Sequence, residues 1–166
     1  MDVDDGNWTD PEAWIDPKPL HTAAGMGDLP TVRRLVAEGW DIDEFDDYGC
    51  GLTPLHCAVR EEHFEVVAFL LEQGADVNAH DEPTAGRTPL ADVAETCSLA
   101  MARLLIDAGA NPLIRGGMGS TALDHSANRK RFEGPQVHAL LFEAARRFGY
   151  IVDKSEGRKY KRNREE

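Results

Sequence analysis

One short pattern returns four times along this chain at a nearly constant interval. The segments are KPLHTAAGMGD from Lys18, TPLHCAVREEH from Thr53, TPLADVAETCS from Thr88 and TALDHSANRKR from Thr121. Their leucines, Leu20, Leu55, Leu90 and Leu123, are separated by 35, 35 and 33 residues. Each of the first three leads into a second pattern: TVRRLVAEGWDID, EVVAFLLEQGADVN and AMARLLIDAGANPL. The glycines of that pattern, Gly39, Gly74 and Gly109, again lie 35 apart. A unit this short cannot bury its own apolar side. A repeat of this length therefore demands a stacked array, in which each unit is covered by its neighbours.

The chemistry inside one unit is that of two helices and a turn. Thr53 and Thr88 are suited to cap a helix start with the side-chain oxygen. Pro54 and Pro89 follow at the first helical position, where the missing N–H does no harm. A short helix is expected over roughly 54–61. A second, amphipathic one is expected over about 64–73, with Val66, Val67, Phe69, Leu70 and Leu71 on a wide apolar face. Gly74 stops it as a left-handed residue after the last turn. ADVNAHDEPTAG then forms a turn-rich return to the next unit.

These residues resemble the ankyrin repeat. The resemblance rests on TPLHCA at 53–58, EVVAFLLEQGADVN at 65–78, GRTPL at 86–90 and LLIDAGANP at 104–112, and covers about residues 18–149. It implies an all-α solenoid of stacked helix-turn-helix units, with β-turn fingers projecting sideways and the first helices lining a concave face. Repeats are expected at about 18–50, 51–85, 86–118 and 119–149, the last degenerate. An acidic segment, 1–17, is expected to cap the first repeat through Trp8 and Trp14, which alternatively are extra contacts for a partner, and a basic, unstructured tail is expected to follow over 150–166. Trp40 is expected to cover a hydrophobic edge. Several positions depart from the family pattern: Lys18 for threonine, Ala91 and Asp124 for histidine, and Glu62 where glycine usually separates the helices. Two extra residues within YGCG, 48–51, lengthen the first finger.

Charge narrows the function. Six Lys or Arg and three Glu give the segment from Lys154 onward +3, so of the overall −12 the first 153 residues hold −15. Such a body repels nucleic acid and anionic membranes and attracts basic partners. No apolar run approaches the ~20 residues of a membrane span. The acidic start lacks the apolar stretch of a signal peptide. Cys50, Cys57 and Cys97 are odd in number and far apart, which favours reduced thiols and a cytoplasmic setting.

Catalytic and metal chemistry find little support. DIDEFDDY, 41–48, superficially suggests a calcium loop, but its fifth, sixth and twelfth positions are Phe45, Asp46 and Leu52. The histidines, His21, His56, His63, His80, His125 and His138, pair with no cysteine at metal-ligand spacing. By the resemblance, His21 and His56 hydrogen-bond backbone of their own or the adjacent turn. Cys57 reads as a small core residue, since adjacent helical residues such as His56 point away from it. Cys97 and Cys50 read as candidates for exposed thiols with nothing nearby to activate them. GGMG, 116–119, lacks the lysine of a phosphate loop. No nucleophile, base and oxyanion donor can be brought together from the sequence. No catalytic residue, metal or cofactor is therefore expected.

What remains is recognition of another protein. The first finger offers Asp43, Glu44, Phe45, Asp46, Asp47 and Tyr48; the second His80, Asp81 and Glu82; the third Arg115 and Met118. The concave side is expected to offer Met26, Leu52, Arg60, Glu61, Arg87, Glu95, Asn128 and Arg129. Carboxylates would steer a basic partner, with Phe45 and Tyr48 as anchors; alternatively Phe45 packs under its own turn and the acids face water. The expected function is a non-catalytic protein-interaction module, monomeric when unbound. The alternative is an acidic inhibitor or immunity protein neutralising a basic toxin enzyme. An enzyme or nucleic-acid binder is the weakest reading.

Overall fold

The computed structural model describes residues 18–46, 51–81, 86–116, 119–127, 133–152 and 160–162. Expectations for 1–17, Asp47, Tyr48, Cys50, Glu82, Met118, Asn128 and Arg129 lie outside these residues. Among the described residues eight helices follow one another: α1 (Pro19–Met26), α2 (Leu29–Ala37), α3 (Pro54–Arg60), α4 (Phe64–Glu72), α5 (Pro89–Val93), α6 (Leu99–Asp107), α7 (Ala122–Ala127) and α8 (Gly134–Arg147). β1 (Tyr150–Val152) then pairs antiparallel with β2 (Tyr160–Arg162), a ribbon outside the repeats in the segment expected to be unstructured.

Helix boundaries follow from side-chain and backbone caps. Thr88 accepts from Ala91 N–H at 3.2 Å, and Ser98 accepts from Met101 N–H at 3.2 Å. At the end of α4, Gly74 N–H bonds Leu71 O and Ala75 N–H bonds Leu70 O. The same two bonds close α2 at Gly39 and Trp40, and α6 at Gly109 and Ala110. This closure needs a left-handed residue, and Gly39, Gly74 and Gly109 take φ of 91°, 93° and 95°. The ends of α1 and α3 close in the same way, at Gly27 (φ 73°) and Glu62 (φ 57°). Glu62 is the sole non-glycine at positive φ among the described residues.

The helices stack in two rows. In one, α1 packs on α3, α3 on α5 and α5 on α7; in the other, α2 packs on α4 and α6 on α8. The repeat leucines of the inner row, Leu20, Leu55, Leu90 and Leu123, are all buried. So are Leu35, Leu70 and Leu105 in the outer row, again 35 residues apart. Each buried leucine contributes about 1.5–3 kcal/mol of transfer free energy. The weak fourth unit still forms a helix pair. Its α8 is the longest helix and lays Val137, Leu141, Ala144 and Ala145 against the end of the array.

Two expectations change. Cys97 is buried in the core rather than an exposed thiol, and Cys57 is half-buried rather than fully enclosed. Trp40 is 39% exposed. No helix among the described residues is long and apolar enough to cross a membrane.

Candidate partner-binding surface

The fingers are built on aspartate and asparagine. Asp41, Asp76 and Asn111 stand 35 residues apart, and each turns its Oδ1 onto the N–H two residues on. The recipients are Asp43 at 3.0 Å, Asn78 at 2.8 Å and Leu113 at 3.0 Å. This is the local turn these side chains favour. The residue two on then reaches across to the next repeat. Asp43 Oδ1 accepts from Asp76 N–H at 2.9 Å, and Asn78 Oδ1 accepts from Asn111 N–H at 2.8 Å. The result is one continuous stitch along three fingers. Sequence reasoning missed Asp41, Asp76, Asn78 and Asn111, although D/N-x-D/N at the repeat spacing (DID, DVN) was there to be read.

The inner helices lock the same edge from below. Nδ1 of His56 accepts the Thr53 N–H at 3.1 Å, so the ring carries its proton on Nε2 and donates it to Arg87 O at 2.7 Å. Burial of that ring holds its pKa below the ordinary 6.5. The Thr53 hydroxyl lies 2.9 Å from the same Nδ1, so Thr53 meets the ring of its own repeat. His21 donates from Nε2 to Glu44 O (2.9 Å) and Leu52 O (3.1 Å), leaving Nδ1 buried without a partner. Both rings tie a helix to backbone of the following finger.

The first finger proves largely self-engaged. Lys18 Nζ donates to Glu44 Oε1 at 2.8 Å and to Phe45 O at 3.1 Å. Asp46 pairs with Leu52 twice: its N–H to Leu52 O at 2.8 Å, and its Oδ1 from Leu52 N–H at 3.1 Å. Phe45 and Leu52 are half-buried. In the second finger, His80 Nδ1 bonds Asn78 O at 2.9 Å, and Asp81 O accepts from Gly86 N–H at 2.9 Å. In the third, Arg115 donates to Gly119 O at 2.9 Å. Arg87 lies half-buried behind the His56 bond. These internal bonds fix the carboxylates without hiding them all, and the Glu44 side chain remains 39% exposed.

Polar rungs cross between the inner helices. Arg60 on α3 pairs with Asp92 on α5, and Glu95, just after α5, pairs with His125 on α7 at 3.0 Å. The partners are 32 and 30 residues apart, one helical turn short of the repeat spacings of 35 and 33. The two rungs thus occupy equivalent positions, with the carboxylate on the later repeat in one and on the earlier repeat in the other. At the next equivalent place, the Cβ of Cys57 lies against Gly25, within 3.6 Å of where a Cβ on that glycine would stand. Burial pushes the Cys57 thiol up to about 11, which leaves it an inert thiol rather than a nucleophile. Met26 and Glu61 are exposed at the helix ends.

The structure does bring one nucleophile-like set together. Ser120 Oγ lies 2.9 Å from His125 Nε2, whose other nitrogen meets Glu95. A hydrolytic role would also need N–H donors for an oxyanion. The neighbouring Gly116 and Gly119 N–H groups are engaged by Ser120 O at 3.1 Å and Gly116 O at 2.7 Å. The trio works as a latch between the third and fourth repeats. Among the described residues no cluster of His, Cys, Asp and Glu could hold a metal.

Asp43 supplies a test of the stitch. Burial lifts its carboxyl above the ordinary carboxylate value, with the Asp76 N–H opposing that shift. A raised folded-state value means the ionised group weakens the fold at neutral pH, and the penalty fades below about pH 4. Asp43→Asn keeps the acceptor and removes the charge, as Asn78 does one repeat later. The variant is expected to melt up to about 2 °C higher at pH 7. The advantage should shrink as pH falls through the carboxylate range. A lower melting temperature at pH 7 would show that the carboxylate charge itself holds the finger.

Comparison with known families agrees with this architecture. A family model described as "Ankyrin repeats (3 copies)" matches residues 4–81, and one described as "Ankyrin repeat" matches residues 85–117. No curated protein matches the chain at a significant level. Ankyrin repeats are generally protein–protein interaction modules and are typically non-catalytic. Stacked helix pairs, three stitched fingers and family matches spanning about two thirds of the 166 residues together place the chain in the ankyrin-repeat family.

Proposed function

We propose that this chain is a non-catalytic recognition scaffold for a partner protein with a basic surface, engaged through the fingers and the inner helix ends. The observation that carries the reading is a finger edge held by side-chain-to-backbone bonds before any partner arrives. It lies within a segment of net charge −15. A pre-ordered surface loses little conformational entropy on binding. Its carboxylates speed encounter with Lys- and Arg-rich surfaces and disfavour nucleic acid and anionic lipid.

The strong acidity also favours a second reading, an inhibitor or immunity protein. A negative surface fits over an enzyme site built for an anionic substrate and occludes it. Affinity capture with the full chain from its native lysate separates the readings. A basic protein retained at low salt should be released near 1 M salt, where charges are screened beyond about 3 Å. Loss of that protein's enzymatic activity on adding the chain would favour inhibition, and unchanged activity an adaptor. A neutral partner held equally at both salts would overturn the charge-based reading.

A further inference from the structure

The fingers join α2 to α3, α4 to α5 and α6 to α7, so the turns inside each helix pair lie at the opposite end of the array. That opposite edge takes in the inner-helix ends, Met26 and Glu61, and also carries hollows that the finger reading does not use. A shallow hollow of about 230 Å³ is lined by Gly27, Glu62, His63, Phe64, Glu65 and Val66. A second, of about 280 Å³, is lined by Arg60, Glu61, Glu62, Thr96 and Cys97. Glu62 belongs to both and forms the ridge between them.

Apolar surface is left open here. Phe64, at the start of α4, is 40% exposed, and Met26, next to Gly27, is 75% exposed. These are two of the four large apolar side chains exposed among the described residues. An exposed aromatic ring that lines a hollow, as Phe64 does, marks an interaction surface more often than an isolated exposed side chain.

The backbone at the ridge is also unusual. Glu62 occupies the left-handed closing position where the first repeat has Gly27. A residue with a side chain costs about 1 kcal/mol there relative to glycine. Its carboxylate is held by the Ser98 N–H, so it projects from a fixed place between the hollows. His63 fixes the adjoining turn by a bond between Nε2 and Gly25 O at 2.9 Å. Glu61 and Glu65 are exposed on either side. Arg60, the cation of the second hollow, is already paired with Asp92.

We infer that this inter-helix-turn edge is a second docking surface, for a peptide segment of a partner protein in which a large apolar side chain is flanked by lysine or arginine. The apolar side chain would settle in the hollow beside Phe64, Val66 and Gly27. The flanking cations would meet Glu61, Glu65 and the fixed Glu62. Charge complementarity selects this occupant: an acidic or neutral apolar segment would face three carboxylates with nothing to pair them.

The test titrates the ¹⁵N-labelled full chain with acetyl-Lys-Arg-Leu-Leu-Arg-Lys-amide and, separately, with acetyl-Glu-Asp-Leu-Leu-Asp-Glu-amide. The basic peptide should shift the amides of Gly27, Glu61, Glu62, Phe64 and Thr96, and the acidic one should not. Phe64→Ser, and independently Glu61→Lys, should each weaken the basic peptide at least about tenfold. Glu61 is exposed, so its variant reports even where Phe64→Ser disturbs α4. Shifts confined to the fingers, equal response to both peptides, or no response at about 1 mM peptide, too weak for a specific site, would each overturn the inference. None of these outcomes contradicts the finger-based reading.

Discussion

His56→Ala is expected to lower the stability of the array by about 4 kcal/mol. The ring is fully buried and satisfies two backbone groups, the buried Thr53 N–H and the part-buried Arg87 carbonyl. Each group left unpaired in the interior costs about 1–3 kcal/mol, and the vacated volume adds to that. At about 2–4 °C per kcal/mol for a chain of this size, the melting temperature should fall by roughly 8–16 °C. His21→Ala should cost less, because one nitrogen of that ring is already without a partner. The pH dependence supplies a second reading of the same residue. Burial lowers the folded-state pKa of His56, so between that value and the ordinary 6.5 the unfolded chain holds a proton the folded one lacks. Stability is complete above pH 6.5 and is lost as pH falls through that window. Thermal melts of His56→Ala across pH 7 to 5 should show a flatter acid limb than the parent. Equal slopes would place the acid sensitivity elsewhere.

Leu70→Ala is expected to cost about 2–5 kcal/mol and to break cooperativity as well. Leu70 is fully buried in α4, which packs on α3 of its own repeat and on α2 of the preceding one. Stability in a linear array is shared between units and their interfaces, so a hole in an inner unit uncouples those on either side. Urea unfolding of the variant should therefore broaden or resolve into two steps. Leu141→Ala, in the last helix, should lower stability while leaving a single transition, because α8 has a neighbouring repeat on one side only. A single sharp transition for Leu70→Ala, with a loss below about 1 kcal/mol, would mean that the outer helices carry little of the coupling.

The fold was legible because each level of the chain repeats the same statement. Proline at the first helical position, leucine at 33 to 35 residues and glycine at the helix end all recur in register. The fourth unit was legible only as a weak echo, and α8 compensates with length for the motif it lacks. The surface was read less well, for a physical reason. In DIDEFDDY the acids looked like free charge, yet Asp41, Asp43 and Asp46 bond backbone N–H groups and Glu44 holds Lys18. A carboxylate serving a turn and a carboxylate awaiting a partner are the same letter. The distinction appeared only at the 35-residue echo in Asp76 and Asn78, where the second stitch uses an amide. The rungs Arg60–Asp92 and Glu95–His125 escaped notice because they fall one helical turn short of the period. At Glu62 the departure from glycine was visible in the sequence. Its left-handed backbone and its grip on Ser98 needed coordinates.

The central claim is that the fingers form one edge ordered in advance by bonds running from repeat to repeat. Amide hydrogen exchange in the free full-length chain tests it at the two N–H groups that cross between repeats, those of Asp76 and Asn111. Both sit in turns outside the helices, where an unbonded amide exchanges far faster than one in a helix core. Protection approaching that of the α4 and α6 cores, lost together with them on mild destabilisation, is the expected result. Exchange at the rate of an open loop, with the helices still protected, would contradict the claim and leave the fingers to be ordered by the partner.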